Sequence, residues 1–397
     1  MKQQHRFGMA LSWPRITSVF VIDVAVLALA SHWPDAWQTD HIAWWTGVAI
    51  AVIVTILGLA TYRRNTLASA LAARLLDRFA DPQAMLTAGR TPAIDHQRRF
   101  GRDVVGIREF QGQLVAVIAV EARDDFSSGR HRYPEESSTM LPVEAVAARL
   151  HQFDVRFDEI DIVSVGTGLS AGNDDASDAK HRADEYSAVG PHNTWVVLRM
   201  DPLRNVTAVA ARDSVASTLA AATERLAHDL DGRRCAARPV TGEEFADVDA
   251  SVLAGLQPAH ISARRRRLKY KEPEGPKEYV TSFWVSPDDI TTETLQHLWL
   301  PDTNATAVTV RLIARGGGAD VSAWVRYHSA KRLRREVWSG LNRLTGRQLA
   351  AVCASLPAPT ARPQLMVPAR PLDDTEELSV PVGRAVPASA TPAGAQR

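Results

Sequence analysis

Two long apolar stretches near the start of the chain dominate its hydrophobic pattern. Residues 42–61 contain no ionisable side chain, and residues 16–33 consist mainly of Val, Ile, Leu and Ala, interrupted by Asp23. At about 1.5 Å rise per residue, helices of this length span the roughly 30 Å hydrocarbon core of a bilayer. The pattern therefore predicts a transmembrane hairpin over residues 16–62, with helices at about 16–33 and 42–62.

The charges that flank the two stretches indicate a topology. Basic residues precede the first stretch and follow the second, whereas the turn between them carries acidic residues and no Lys or Arg. An excess of Lys and Arg marks the cytoplasmic side. We therefore predict a multi-pass membrane protein, with the N-terminal segment 1–15 and the C-terminus both cytoplasmic. A cleaved secretory signal ending near Ala30 is the alternative, which Asp23 and the second apolar stretch disfavour.

The segment after the hairpin, residues 63–100, is predicted to be a juxtamembrane helix and linker. Within residues 65–80, four apolar side chains recur every four residues, as on one face of a helix: Leu67, Leu71, Leu75 and Phe79. Such a stripe packs either on the protein's own domain or on another subunit.

Residues 101–358 show the patterns of strands and helices in alternation. Residues 104–110 and 114–121 predict one β-hairpin, and residues 305–314 and 321–327 predict a second one across a glycine run. Further strands are predicted at 160–165, 194–200 and 206–211, and helices at 142–153, 214–230, 241–253 and 346–356. The order of these elements indicates a cytosolic α/β domain with a mixed sheet.

Three polar stretches interrupt this domain and are predicted to be mobile loops, at residues 124–139, 167–192 and 255–277. Residues 359–397 form a tail rich in Pro and Ala, which we expect to be disordered at its end.

The composition excludes several classes of function. The 46 basic and 45 acidic residues give a net charge of +1, so no overall field favours binding to nucleic acid. Cys235 and Cys353 are isolated, and no His pairs with Cys or Glu at the spacing of metal ligands. We therefore expect no disulfide, no metal and no cofactor.

The short motifs that could carry catalysis lack the context that they need. The G-x-S-x-G match at residues 168–172 is followed by acidic residues rather than a helix, and the chain has no P-loop. Gly166-Thr167-Gly168 also lacks the helix that would hold a phosphate. Asp247 and Asp249 lie in a predicted helix, which favours solvated carboxylates over a metal pair. No catalytic residue is predicted.

Two features are candidates for interaction. Asp23 is costly within a bilayer, and it could contact a neighbouring helix, be hydrated near the interface or hold a proton. The basic run Arg264, Arg265, Arg266 and Arg267 could contact anionic headgroups, nucleic acid or an acidic partner, or could lie in a solvated loop. Nucleic acid is the least favoured of these because no recognised binding fold surrounds the run.

Several longer stretches resemble one family. The two leading spans, residues 91–103 (TPAIDHQRRFGRD) and 105–110 (VGIREF), residues 194–202 (TWVVLRMDP) and 205–213, and the stretch 340–357 resemble EccE. This family is a membrane component of the mycobacterial ESX, or type VII, secretion apparatus. The branch that exports PE and PPE proteins resembles this chain most.

The resemblance implies a non-catalytic structural subunit beside the EccB, EccC and EccD components, in contact with membrane lipids and not with nucleic acid. EccC would supply the ATPase, which agrees with the missing P-loop. The family's cytosolic domain has been likened to a glycosyltransferase fold, so a membrane-tethered enzyme acting on a nucleotide-sugar is the alternative. A regulator that contacts lipid through residues 264–271 is a third possibility.

Overall fold

The computed structural model describes residues 7–9, 12–32, 41–62, 65–66, 81–86, 91–99, 101–123, 139–167, 192–210, 212, 214–232, 235–264, 266–271, 275–300, 303–359, 365–373 and 376–383. Most of the predicted loops 124–139 and 167–192, the G-x-S-x-G match and the end of the predicted tail lie outside these residues.

The two apolar stretches form helices α1 (Trp13–Ser31) and α2 (Ile42–Leu59), which pack along each other. Both are long and apolar enough to cross a membrane. Close approach depends on small residues, since a Cβ on Gly47 would lie 2.5 Å from the Cβ of Ala30. The second helix is shorter than predicted because the chain turns into strand β2 (Ala60–Tyr62) after Leu59.

Strand β2 belongs to a small antiparallel sheet with β1 (Phe7–Met9) and β3 (Asn65–Thr66). The juxtamembrane helix predicted for residues 65–80 therefore does not begin at Asn65. Residues 67–80, which carry the predicted apolar stripe, lie outside the described residues. The next described helix is α3 (Pro82–Leu86).

A large antiparallel sheet forms the centre of the domain. Its main strands are β4 Ile94–Gln97, β5 Val104–Phe110, β6 Gln113–Ala122, β10 Glu159–Thr167, β11 His192–Met200, β13 Ile261–Arg264, β14 Arg267–Lys271, β15 Lys277–Trp284, β16 Ala305–Arg315 and β17 Gly318–Ser329. They are arranged in the order β13-β14-β15-β17-β16-β10-β11-β6-β5-β4. Strands β12 (Cys235–Pro239), β18 (Asn342–Arg343) and β19 (Arg370–Leu372) pair with β6, β15 and β17 respectively.

Both predicted hairpins are present. Strands β5 and β6 join through Gln111 and Gly112, whose φ angles are 52° and 78°. Strands β16 and β17 join through Gly316 and Gly317, and Arg315 pairs with Gly318. A two-residue turn with positive φ at both central residues has a backbone twist that matches the right-handed twist of the flanking strands, which is why it is common in β-hairpins.

The prediction of a mixed sheet is wrong for the part of the chain that the structure describes, where every strand pairing is antiparallel. That prediction assumed that a helix between two strands makes a parallel crossover. Here successive strands either form hairpins or return beside a strand of opposite direction.

The prediction of a mobile loop over residues 255–277 is also wrong for the described part of that segment, which excludes residues 265 and 272–274. This segment holds a 3₁₀ turn (Pro258–His260) and the β13–β14 hairpin at one edge of the sheet. Leu268 and Tyr270 are buried, whereas Lys271 is exposed. The alternation of a half-buried strand was present, but the basic residues concealed it.

The remaining helices are α4 (Val143–Ala147), α5 (Val206–Ala210), α6 (Val215–Asp231), α7 (Phe245–Leu253), α8 (Thr292–His297) and α9 (Gln348–Ser355), and short pairs are β7 (Met140–Pro142) with β20 (Ser379–Pro381) and β8 (His151–Gln152) with β9 (Val155–Arg156). Helix α4 is shorter than predicted because the β8–β9 turn follows it. Residues 206–210 are helical rather than extended, because the Asp201 side chain accepts from the amide of Leu203 and starts a 3₁₀ turn at Pro202–Asn205.

Helices cover both faces of the sheet. On one face, α6 contributes Leu219 and Leu226 to a core that contains Val196 and Val310. On the other face, α7 and α9 contribute Phe245 and Val352 to a second core. The side chains of each strand therefore alternate between two apolar layers, so charged residues in the central strands must be buried.

Candidate functional site

The carboxyl of Asp23 lies between the two apolar helices. The hydroxyl of Thr55 on α2 donates to Oδ2 of Asp23 at 2.7 Å. Oδ1 is also buried, and no described residue donates to it. The carboxyl therefore has a polar contact to the neighbouring helix of its own hairpin, and half of its hydrogen-bonding capacity is unused.

A groove of about 330 Å³ opens beside this contact. Apart from Asp23 and Thr55, its lining is apolar: Leu27, Val48, Ala51, Val52 and Ile56. An apolar groove with one carboxyl suits the packing of a further transmembrane helix that carries a hydrogen-bond donor.

The centre of the sheet contains a buried charge cluster that the sequence analysis missed. Asp161 on β10 accepts from Arg199 on β11 at 2.6 Å and from Arg311 on β16 at 2.8 and 2.9 Å. Glu159 adds a second carboxylate, 2.8 Å from Arg199. Asp161 and Arg199 are fully buried. The signal in the sequence was a charged residue inside each of three otherwise apolar strands.

This cluster also ties the sheet to the end of α9. Arg199 donates to the carbonyl oxygens of Leu356 and Pro357, and Arg311 donates to that of Ala354. Cations near the last carbonyls of a helix satisfy acceptors that the helix leaves open. Burial lowers the pKa of Arg311, but the neighbouring carboxylates outweigh burial and raise it above the ordinary value. The guanidinium groups therefore hold layers together.

A second buried pair joins the sheet to α7. Arg108 on β5 donates to Asp249 at 2.6 Å, and its guanidinium lies 4.7 Å from the ring centroid of Phe245. Burial raises the pKa of the Asp249 carboxyl despite the opposing effect of Arg108. The prediction of two solvated carboxylates is thus wrong for Asp249, while Asp247 is exposed. Within the described ranges, no group of His, Cys, Asp and Glu could hold a metal ion.

A fourth buried cation lies on β17. Arg326 is 1% exposed and donates to the carbonyl of Val252, and burial lowers its pKa to about 10. His328 on the same face is fully buried, and burial together with Arg326 lowers its pKa well below the ordinary value. Neither residue lines one of the cavities described here.

A cleft of about 590 Å³ lies where the β5–β6 turn meets β10 and β16. Its charged lining consists of Glu159, Asp201 and Arg311. Glu159 and Arg311 belong to the buried cluster, and Asp201 accepts from the amide of Leu203. The described charges in this cleft are therefore committed to structural contacts.

The predicted basic run is divided by the β13–β14 hairpin. Arg264 and Arg267 face each other across the turn, Arg266 lies in the turn, and Arg265 lies outside the described residues. Arg267 stacks 5.1 Å from the ring centroid of Tyr279. Lys271 is at the other end of β14, roughly 13 Å away at about 3.3 Å per residue. The basic residues therefore lie at two separate places, the β13–β14 turn and the opposite end of β14, and do not form one continuous loop.

Comparisons with known proteins agree on one family. Residues 188–285 match the family model described as "Putative type VII ESX secretion system translocon, EccE". The chain is 54% identical to the ESX-5 secretion system protein EccE5 of Mycobacterium tuberculosis, over 97% of each chain. It is 52% identical to EccE5 of Mycobacterium marinum over the same shares. A more distant relative, EccE2 of the ESX-2 system, is 25% identical over 41% of this chain and 30% of its own.

Identity of this extent over nearly the full length, together with two membrane-compatible helices and a sheet-rich domain, means that this chain belongs to the EccE family of ESX type VII secretion system components.

Proposed function

We propose that this chain is a non-catalytic structural subunit of the inner-membrane ESX secretion complex, fixed in the bilayer by α1 and α2. Its sheet domain and both termini lie in the cytoplasm. There it braces an assembly with EccB, EccC and EccD for the export of proteins, in the branch that serves PE and PPE substrates.

The observation that carries this proposal is the apolar surface that the paired helices α1 and α2 leave exposed. Large apolar side chains are exposed along both helices, among them Phe20 and Ile53. Such a surface is stable only in lipid or against other helices. The groove beside Asp23 adds a place where a neighbouring helix with a donor would fit.

The domain supports the same proposal through its charges. The buried charges of Asp161, Arg199 and Arg311 are paired within the domain, which suits a rigid brace better than a site that must change its protonation. The stripe Leu67, Leu71, Leu75 and Phe79 and the hairpin arginines Arg264, Arg266 and Arg267 are the further surfaces that we propose for subunit contacts.

Purification of the tagged full-length chain in mild detergent tests this proposal. The wild-type chain should bring EccB, EccC and EccD with it in fixed proportions. Gly47→Leu places a large side chain against Ala30 and should reduce that recovery, whereas Ile53→Leu on the exposed face of α2 should not.

Two results would contradict the proposal. One is a wild-type chain that is extracted intact yet recovers none of the three components. The other is saturable binding of a nucleotide-sugar in calorimetry with turnover by the purified chain, which would favour the membrane-tethered enzyme.

A further inference from the structure

A basic surface lies at one end of three neighbouring strands of the sheet. The β14–β15 register pairs Lys271 with Lys277, and the β15–β17 register pairs Tyr279 with Ser329. Lys331 follows the end of β17 by two residues, so it lies near the same end of the sheet as Lys277. The three lysines therefore lie at one end of three neighbouring strands, which are roughly 4.8 Å apart.

The segment after β17 adds further cations to this group. Its basic residues are Arg332, Arg334 and Arg335. We call the six cations together the basic sheet end: Lys271, Lys277, Lys331, Arg332, Arg334 and Arg335. All six side chains are exposed. The sequence analysis considered only Lys271 among them, since the strand register is needed to bring the others together.

Four carboxylates lie next to these six cations in sequence, Glu272, Glu274, Glu278 and Glu336, and leave an excess of two positive charges. None of the six cations forms an ion pair with a described residue. The nearby carboxylate of Glu278 accepts a hydrogen bond from Asn304. Like charges on adjacent strands destabilise a sheet, so a ligand that supplies negative charge relieves an existing repulsion.

The path of the chain favours a membrane surface as that ligand. Helix α3, the first described helix after α2, packs against the Pro258–His260 turn and β13. The chain thus comes back from the hairpin to the edge of the sheet that carries β13 and β14. Lys271 ends β14, so the basic sheet end begins next to the edge at which the domain is attached to its membrane segment.

We propose that the basic sheet end binds the headgroups of anionic phospholipids in the bilayer that holds α1 and α2, and so fixes the orientation of the domain. This inference rests on the proposed membrane anchoring. Lysines grouped at one end of a sheet offer point charges that suit the phosphate groups of a membrane surface. The hairpin keeps this surface within reach, so even weak contacts are occupied.

Full-length protein in lipid nanodiscs tests the inference. A fluorophore on Ala330→Cys, next to Lys331, reports its distance from a headgroup quencher. Ala330 is exposed, whereas Cys235 and Cys353 are buried and burial raises the pKa of their thiols, so labelling is selective. Discs of phosphatidylcholine alone are compared with discs that also contain phosphatidylglycerol.

We expect strong quenching only in the anionic discs, and its loss at high salt. Each cation near an anionic surface contributes roughly a fivefold change in partitioning. Lys277→Glu with Lys331→Glu should therefore reduce the bound population at least tenfold, and the two Lys→Gln changes should reduce it less. Arg102→Glu with Arg156→Glu, an equal change of net charge at exposed sites elsewhere, should leave quenching unchanged.

Two outcomes overturn the inference: equal quenching in neutral and anionic discs, or an equal effect of the two charge reversals. If the lysines are needed instead for recovery of EccC while lipid has no effect, the surface belongs to a protein partner. Failure of the chain to insert into discs at all would contradict the membrane anchoring itself, which separates the two proposals.

Discussion

The buried cluster around Asp161 yields the sharpest prediction about stability. Asp161→Asn keeps the shape of the side chain and removes its charge, which leaves Arg199 and Arg311 with Glu159 as their remaining carboxylate. Removing one partner of a buried ion pair costs about 3–5 kcal/mol. Both arginines are at most 7% exposed, so water cannot replace the lost charge. We expect a loss of about 3 kcal/mol, a large part of a typical domain's stability.

Urea unfolding of the full-length protein in detergent, followed by tryptophan fluorescence, measures this loss. Trp324 is a suitable reporter because Arg311 lies 4.9 Å from the centroid of its ring. The matched control is Arg315→Gln, which breaks the exposed Arg315–Asp320 bridge of the same sheet and should cost less than about 1 kcal/mol. If Asp161→Asn costs no more than this control, the cluster does not hold the layers together.

Three further predictions concern backbone packing, pH and the hairpin. Gly106→Ala should destabilise the domain by about 1–3 kcal/mol, because its Cβ would lie 2.6 Å from the backbone of Gly242, whereas Gly318→Ala should be tolerated in the same thermal assay. Burial lowers the pKa of His328 in the folded protein, so below pH 6.5 the unfolded chain binds a proton that the folded chain does not. The free energy of unfolding should therefore fall by about 1 kcal/mol between pH 7 and 5.5. In urea unfolding, His328→Gln should lack this pH-dependent loss of stability. Thr55→Val removes the donor to Asp23 and should speed amide exchange in α1 and α2, by an equilibrium effect of about 0.6–2 kcal/mol.

The parts of the fold that local patterns determine could be predicted from the sequence. Uninterrupted apolar runs identified α1 and α2, and alternation around Gln111-Gly112 and the glycine run identified the two hairpins. Each of these features depends on neighbours in sequence, so a single chain carries enough information.

The direction of strand pairing, and the folding of the basic segment into the β13–β14 hairpin, depend on contacts between residues that are distant in sequence. The β13–β14 hairpin is held by its pairing with β15 and by burial of Leu268 and Tyr270, which local composition does not reveal. Helix α5 forms where a strand was predicted, because the side chain of Asp201 accepts a hydrogen bond from the amide of Leu203 and starts a helical turn there. In both cases a specific contact overrode local propensity.

The candidate sites divide in the same way. Asp23 could be identified from the sequence alone, because a carboxylate within a long apolar stretch is unusual whatever the fold. Asp161, Arg199 and Arg311 meet only because the register of three strands aligns them. The basic sheet end has the same origin, since the pairing of β15 with β17 brings Lys331 to the end of the sheet that holds Lys271 and Lys277.

Cysteine accessibility in spheroplasts tests the membrane anchoring most directly. A membrane-impermeant maleimide is applied to two variants, Gln38→Cys in the segment between α1 and α2 and Ala330→Cys in the sheet domain. The proposed topology predicts that position 38 reacts in intact spheroplasts and that position 330 reacts only after the membrane is permeabilised. Reaction at position 330 in intact spheroplasts would place the domain outside the cell and contradict its assignment as a cytoplasmic brace of the secretion complex.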